Sequence, residues 1–435
     1  MLALSSLAVL ASCLLQVAAG LDPEGPANTY KQCQRNTCKN PTDGCPKGTI
    51  FVSKDDARAN FTSIQAAIES VGNTTTPAYI LIAPGNYTEQ LNVTRRGPLH
   101  LIGMSTRPWK GELYSDIDVN TERQNDVQVW WNSANHDAIF SDNVFTGVLT
   151  VGPTLNATLT GSGPTGFPVP EDTPFGCTDF RAYNIDFRNE EFPYSNGPAH
   201  AIGVSRANAG FYSCGFYSWQ DTVRPFRSYY CPLGLQLTRT LSPPPQVYIG
   251  KLGNAYLYDS IVAGQTDFLY GFGTLYIEKS HLTLRSCGGG ITAWKGTNTT
   301  FDNKYGVYLD RTPSVAANAS IAAKIVGKCA LGRPWNAQHH SIFMDSYFDA
   351  SIKPAGYVIW GTTDQRVNNY TFMATWKDYG PGYNETAERN SGGVTLVLDD
   401  EQVRPYRYPE DVFQTPEGEF GNVGWIDQSV MFSRD

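Results

Sequence analysis

Short apolar runs, each closed by Gly, Asn, Asp or Pro, recur along most of this chain and leave room for few helices. They are Tyr79–Ile82, Leu99–Ile102, Gly147–Val151, Ala182–Phe187, Ala209–Cys214, Ala255–Tyr258 and Gly273–Ile277. Runs of that length, rich in β-branched and aromatic residues and bounded by turn formers, predict strands. Several arrive at intervals of roughly 20 to 30 residues, the spacing at which coils of a solenoid stack strand on strand. Spacing alone leaves a β-sandwich or barrel equally open. Ahead of them, Ile50-Phe51-Val52 reads as a first strand. Ile64, Ala67, Ile68 and Val71 recur at helical spacing, with Thr62 and Gln65 fitting a capping box. The fold class is therefore all-β with one short N-terminal helix.

The 435 residues, 41% of them apolar, can bury a large core, and a charged content of only 17% argues against disorder. A net charge of −8 gives no polyanion-binding signature, so no nucleic-acid partner is expected. Residues 1–19 read as a signal peptide: an apolar run precedes Val17-Ala18-Ala19, with small residues at the −3 and −1 positions. That run is shorter than the ~20 residues a membrane span needs, so no membrane partner is expected either. Asn60, Asn73, Asn86, Asn92, Asn156, Asn298, Asn318, Asn369 and Asn384 each head an N-x-S/T triplet, which agrees with export. Residues 20–48 form a loop-rich leader holding Cys33, Cys38 and Cys45, and 49–435 form one domain. An oxidising compartment predicts disulfides without fixing their pairing. The leader cysteines lack a matching His or fourth Cys, so no metal is assigned to them.

Three blocks carry chemistry. Trp219-Gln220-Asp221-Thr222 and Gly264-Gln265-Thr266-Asp267-Phe268-Leu269-Tyr270-Gly271 each set a carboxylate among bulky apolar neighbours. Burial and a second carboxylate drive two such pKa values apart, so one aspartate can act as acid and the other as nucleophile. Locally, each aspartate reads first as a turn residue bonding its own backbone. In Leu331-Gly332-Arg333-Pro334-Trp335 the arginine can fork onto a carboxylate, and the tryptophan offers a face to a sugar.

In this order, and with Gly85-Asn86-Tyr87-Thr88-Glu89 ahead of them, the blocks resemble the pectin methylesterase (pectinesterase) family. Weaker echoes lie in Phe61–Ile68 and Tyr379-Gly380-Pro381-Gly382, so the likeness runs from about Thr49 to Asn384. The resemblance implies a right-handed parallel β-helix. It also implies a secreted, monomeric, fungal-like esterase that takes methyl groups from the C6 esters of pectin, without metal or cofactor. On that likeness Asp267 is the nucleophile and Asp221 the general acid and base. Gln220 donates to the oxyanion and Arg333 orients Asp267. Trp335, Phe268 and Tyr270 meet substrate.

Two departures stand against the family pattern. A further oxyanion glutamine is expected one coil before Gln220. Counting back reaches Pro198 in Gly197-Pro198-Ala199-His200, where His200 or a backbone amide could stand in. The aspartates should also lie one coil apart, yet 46 residues separate Asp221 from Asp267. The excess falls in 224–247, a stretch unlike its surroundings. Its Ser242-Pro243-Pro244-Pro245-Gln246 is what a pyrimidine tract ending in CAG would encode. It reads as a retained intron, with a tolerated surface loop as the alternative. A catalytically impaired pectin-binding protein of the cell wall is the alternative function. The signatures of a pectin lyase, a polygalacturonase and a Gly-x-Ser-x-Gly esterase are not visible.

Overall fold

A computed structural model describes residues 26–35, 39–105, 125–135, 139–160, 170, 172–189, 199–218, 247–296 and 304–432. Its strands pair in parallel to build one sheet of eleven strands and two of seven. Each of the seven complete coils among the described residues gives one short strand to each sheet: Asn254–Tyr258, Ile261–Gly264 and Leu269–Gly271 make one turn, and Thr274–Glu278, His281–Leu284 and Gly290–Trp294 the next. Consecutive strands stack in one direction, as in Asn254 on Thr274 and Tyr258 on Glu278. The chain is thus a parallel β-helix, and the sandwich and barrel are excluded.

Five of the seven runs named above fall in the eleven-stranded sheet, Gly147–Val151 overlaps a seven-stranded one, and Ala182–Phe187 is shared between the two kinds. Burial on both faces explains why the long sheet was the most legible. Ala255, Leu257, Leu275, Ile277, Val307 and Leu309 point into the helix interior. Tyr256, Tyr276 and Tyr308 point outward and stack with ring centroids 6.2 Å apart. Both faces are buried, so these strands read as continuous apolar runs. The outer face is covered from both ends of the chain. Ala27, Tyr30 and Cys33 join it from the leader, and Val412, Phe413, Trp425 and Ile426 from the C-terminal segment. Asp427 ties the two: it accepts from Thr29 Oγ1 and Tyr183 Oη, and its N–H donates to Tyr212 Oη.

The Ala182–Phe187 run is two strands rather than one. Asn184 breaks it with φ +52°, and Phe180–Tyr183 and Ile185–Asn189 enter different sheets. Ser213, Asp259, Lys279, Arg311, Asp345 and Lys377 repeat this left-handed bend after the corresponding strands of later coils. One residue with positive φ turns the chain sharply between sheets, and Asn and Asp bear that conformation at least cost.

The expected helix is present over Ile64–Ser70, with Ile64, Ala67 and Ile68 buried. Its capping differs from the expectation. Ser63, not Thr62, is the N-cap and accepts from the Ala66 N–H. Glu89 completes the terminus. Its carboxylate accepts from the N–H groups of Ile64 and Gln65 at 3.0 and 2.8 Å and from Ser63 Oγ at 2.7 Å. The glutamate of the Gly-x-Tyr-x-Glu block is therefore a structural anchor satisfying orphan helix donors. Glu89→Ala is expected to cost about 1–3 kcal/mol, with Glu89→Gln retaining part of that, as read from chemical unfolding of the variants.

Cys33 pairs with Cys45 and Cys287 with Cys329. Cys177 and Cys214 are buried free thiols, each pushed up to about 12 by desolvation. Cys38, Cys231, Asn298 and the signal peptide lie outside the described residues. Of the eight described sequon asparagines, all but the half-buried Asn92 are exposed.

Candidate active site

Asp267 lies between the strand Ile261–Gly264 and the strand Leu269–Gly271, with φ +48°. Asp267 stands outside the series of left-handed bends that follow strands of the long sheet, as do Arg206, Leu252, Lys304 and Arg366. A non-glycine residue in this region persists where its surroundings over-determine it, as functional sites commonly do. Here the surroundings are explicit. Arg333 Nε lies 3.1 Å from both carboxylate oxygens and Nη2 lies 2.6 Å from Oδ2. The Gly290 N–H donates to Oδ1 at 2.9 Å, and the Asp267 N–H donates back to the Gly290 carbonyl.

The side chain of Asp267 is 0% exposed and that of Arg333 15%. Burial pushes the Asp267 carboxyl up; the Arg333 charge, its hydrogen bonds and the Gly290 N–H pull it down. The burial effect is the larger, so the group sits above the usual carboxylate range while remaining paired to a cation. A carboxylate stripped of water and aimed by a fork suits a nucleophile.

The neighbours explain the local sequence. A Cβ on Gly289 would overlap Arg333 Nε and Asp267 Oδ1, and one on Gly290 would strike the Gly332 backbone. The Cys287–Cys329 disulfide ties the glycine run to the strand Ala330–Gly332 that leads into Arg333. None of this was anticipated, although three consecutive glycines after a cysteine were a readable signal of close backbone approach.

The expected substrate residues divide. Tyr270 and Trp335 pack edge to face at 4.9 Å, and Trp335 meets Trp360 at 5.1 Å. Phe268 corrects the expectation. It is fully buried in the helix interior beside Leu269, just ahead of the strand that turns Tyr270 outward, and it has no surface for a sugar. Trp335 is only 6% exposed, covered by its aromatic neighbours. Trp360 is half-buried, with the Arg333 and Arg366 guanidinium carbons 4.1 and 4.2 Å from its ring centroid. It was missed because nothing near it in sequence resembles a motif.

His200 is buried and stacks on Tyr248 at 5.8 Å. Neither ring nitrogen has a hydrogen-bond partner among the described residues, and desolvation lowers its pKa to about 4. Gln220, Asp221 and Pro198 lie outside the described residues. So do 219–246, which hold all of the atypical stretch except Val247. Val247 itself is strand, paired with Ile202 on one side and Leu269 on the other.

The pectinesterase family model matches residues 250–412, which contain Asp267, Tyr270, Arg333 and Trp335. A probable pectinesterase A of Aspergillus niger is 24% identical over 333 residues, 76% of this chain and 77% of that protein. Pectinesterase 31 of Arabidopsis thaliana is 28% identical over 215 residues, 48% of this chain and 56% of its own length. Among solved structures, the deglycosylated pectin methylesterase of Aspergillus niger superposes with a TM-score of 0.58 at 19% identity. That match covers 88% of this chain and 98% of that one, and it extends the likeness in fold beyond the segment the family model matches.

Proposed function

The chain belongs to the pectinesterase family, and from that premise we propose a secreted, monomeric enzyme that hydrolyses the C6 methyl esters of pectin through Asp267. The observation that carries this reading is the buried Asp267 carboxylate held in the Arg333 fork. Asp267 attacks the ester carbonyl, the C–O bond to the methoxy group breaks and methanol leaves with a proton from Asp221. Water, activated by Asp221, then cleaves the acyl-enzyme and frees the galacturonate carboxylate. Gln220 donates to the oxyanion, a contribution typically worth on the order of 10²–10³ in rate. The exposed sequon asparagines support export.

Strand register supports pairing Asp221 with Asp267. Tyr217 pairs with Ala263, and each aspartate is the fourth residue onward from its member of that pair. The offset between coils is 46 at Tyr217–Ala263 and 22 at Val247–Leu269, a difference of 24 that falls between Ser218 and Val247. Because residues 223 and 247 are both valine, removing 223–246 or 224–247 yields the same spliced sequence. The first choice keeps Val247 in its ladder.

Methanol release from highly esterified pectin, with no new reducing ends and no unsaturated product, tests the reaction class. The variant lacking 223–246 is expected to be at least as active as the parent. Pectin binding without methanol release by either form would establish the non-catalytic alternative. An inactive but folded deletion variant would make the stretch a working part of the enzyme.

A further inference from the structure

Cys287 and Cys329 are joined across 42 residues of chain, and the bridge lands beside both halves of the Asp267 fork. Cys287 stands three residues ahead of Gly290, whose N–H donates to Asp267 Oδ1 at 2.9 Å. Cys329 stands four residues ahead of Arg333, whose Nη2 lies 2.6 Å from Oδ2. The other disulfide, Cys33–Cys45, closes 12 residues within the leader.

The two ends of the bridge are held unequally. Cys329 is buried, its N–H donates to the Ser351 carbonyl at 2.9 Å, and its own carbonyl accepts from the Lys353 N–H at 2.8 Å. The strand Ala330–Gly332 runs on from it, and the Arg333 N–H donates to the Thr292 carbonyl at 3.0 Å. Cys287 is half-buried, in the stretch 286–289 between the strands His281–Leu284 and Gly290–Trp294. Among the described residues, no backbone hydrogen bond anchors that stretch. It includes Gly288 and Gly289, and glycine has the most backbone freedom to lose on ordering. Yet the run must pass close to the site. A Cβ on Gly288 would strike Thr266 Oγ1, as one on Gly289 would strike Arg333 and Asp267. The bridge is thus the tie that presses a weakly held run against the nucleophile.

A cross-link can act on stability alone, by restricting the unfolded chain. The placement of this one gives it a second effect. Resting on the esterase reading above, we propose that the Cys287–Cys329 bridge is a positioning element for the nucleophile. It holds the run into Gly290 so that the Gly290 N–H and the Arg333 fork meet the Asp267 carboxylate together. Burial is the largest influence on that carboxyl and pushes it up, while Arg333 and the Gly290 N–H pull it down. Opening the bridge frees the N–H donor, so the carboxyl moves further up. Fewer molecules then carry an ionised, aimed Asp267 at mildly acidic pH. The loss falls on kcat more than on KM, because the displaced groups act at the reacting carboxylate.

The test uses the full chain, with methanol release from highly esterified pectin followed across pH at a temperature where the parent is folded. The double variant Cys287→Ala, Cys329→Ala is expected to lower kcat about tenfold or more and to change KM less than about threefold. Its acid limb is expected at higher pH. The leader pair Cys33→Ala, Cys45→Ala is expected to keep the parent's acid limb. Should the site variant fail to fold, reduction of the folded parent by a phosphine opens the same bridge, with the freed cysteines identified by alkylation. The same loss is then expected, and reoxidation reverses it. A folded double variant, or a reduced parent, with the parent's kcat and pH profile overturns the positioning role and leaves the esterase standing. So does a loss confined to the melting temperature, or a fully active parent in which both cysteines are free thiols. A parent that releases no methanol overturns the esterase reading, and the positioning role with it.

Discussion

Asp267→Asn is expected to lower methanol release from pectin on the order of 10⁴-fold or more, the scale reached when a nucleophile is removed from a working site. The substitution keeps shape and removes charge. The Gly290 N–H, 2.9 Å from Oδ1, can still donate to an amide oxygen, so the left-handed bend keeps its anchor. Arg333 loses its anionic partner but keeps the face of Trp360 and some contact with water. The variant should therefore melt cooperatively, with a stability loss of about 1–3 kcal/mol. Methanol assays and thermal unfolding on the same preparation separate chemistry from folding. A variant with the parent's turnover removes Asp267 from the mechanism.

Arg333→Met is expected to cost on the order of 10²–10³ in kcat/KM at mildly acidic pH and less as the pH rises. The sign follows from the balance at Asp267. Burial already raises its pKa, and Arg333 is the main opposing influence. Without the fork the pKa climbs further. At a given acidic pH a smaller fraction of Asp267 is then ionised, and the acid limb of the pH–rate profile moves to higher pH. Breaking a buried ion pair costs about 3–5 kcal/mol when the remaining charge stays, but Asp267 can take up a proton and limit the loss. Linkage adds a consequence. Because the folded pKa lies above the unfolded one, ionising Asp267 disfavours the native state, and in the variant this penalty appears as the pH rises through the higher folded pKa. Arg333→Lys should recover only part of the rate, since a single ammonium cannot fork onto both oxygens. A Met variant with the parent's pH profile would contradict the role given to Arg333.

Asp267 and Arg333 were legible as chemistry because each sits in an ordered block with aromatic and glycine neighbours. Trp360 was not, since a tryptophan in a loop carries no local pattern. Phe268 misled for a related reason: it lies inside a motif, yet the turn ahead of the strand Leu269–Gly271 sends it into the core. Glu89 stood in another motif and proved to hold a helix terminus.

What the sequence by itself determined is the strand alphabet: short apolar runs, their punctuation, and the carboxylates, glutamine and arginine available for chemistry. What only the tertiary structure decided is which of these meet. Coils here advance by 20 residues between Asn254 and Thr274, 32 between Thr274 and Gly306, and 46 between Asn208 and Asn254. Distance along the chain therefore does not report distance in space. Hydrogen-bond register does, because parallel strands stack residue on residue whatever length of loop intervenes. That register sets Gly290 against Ala330 and carries Arg333 onto Asp267 across 66 residues of chain.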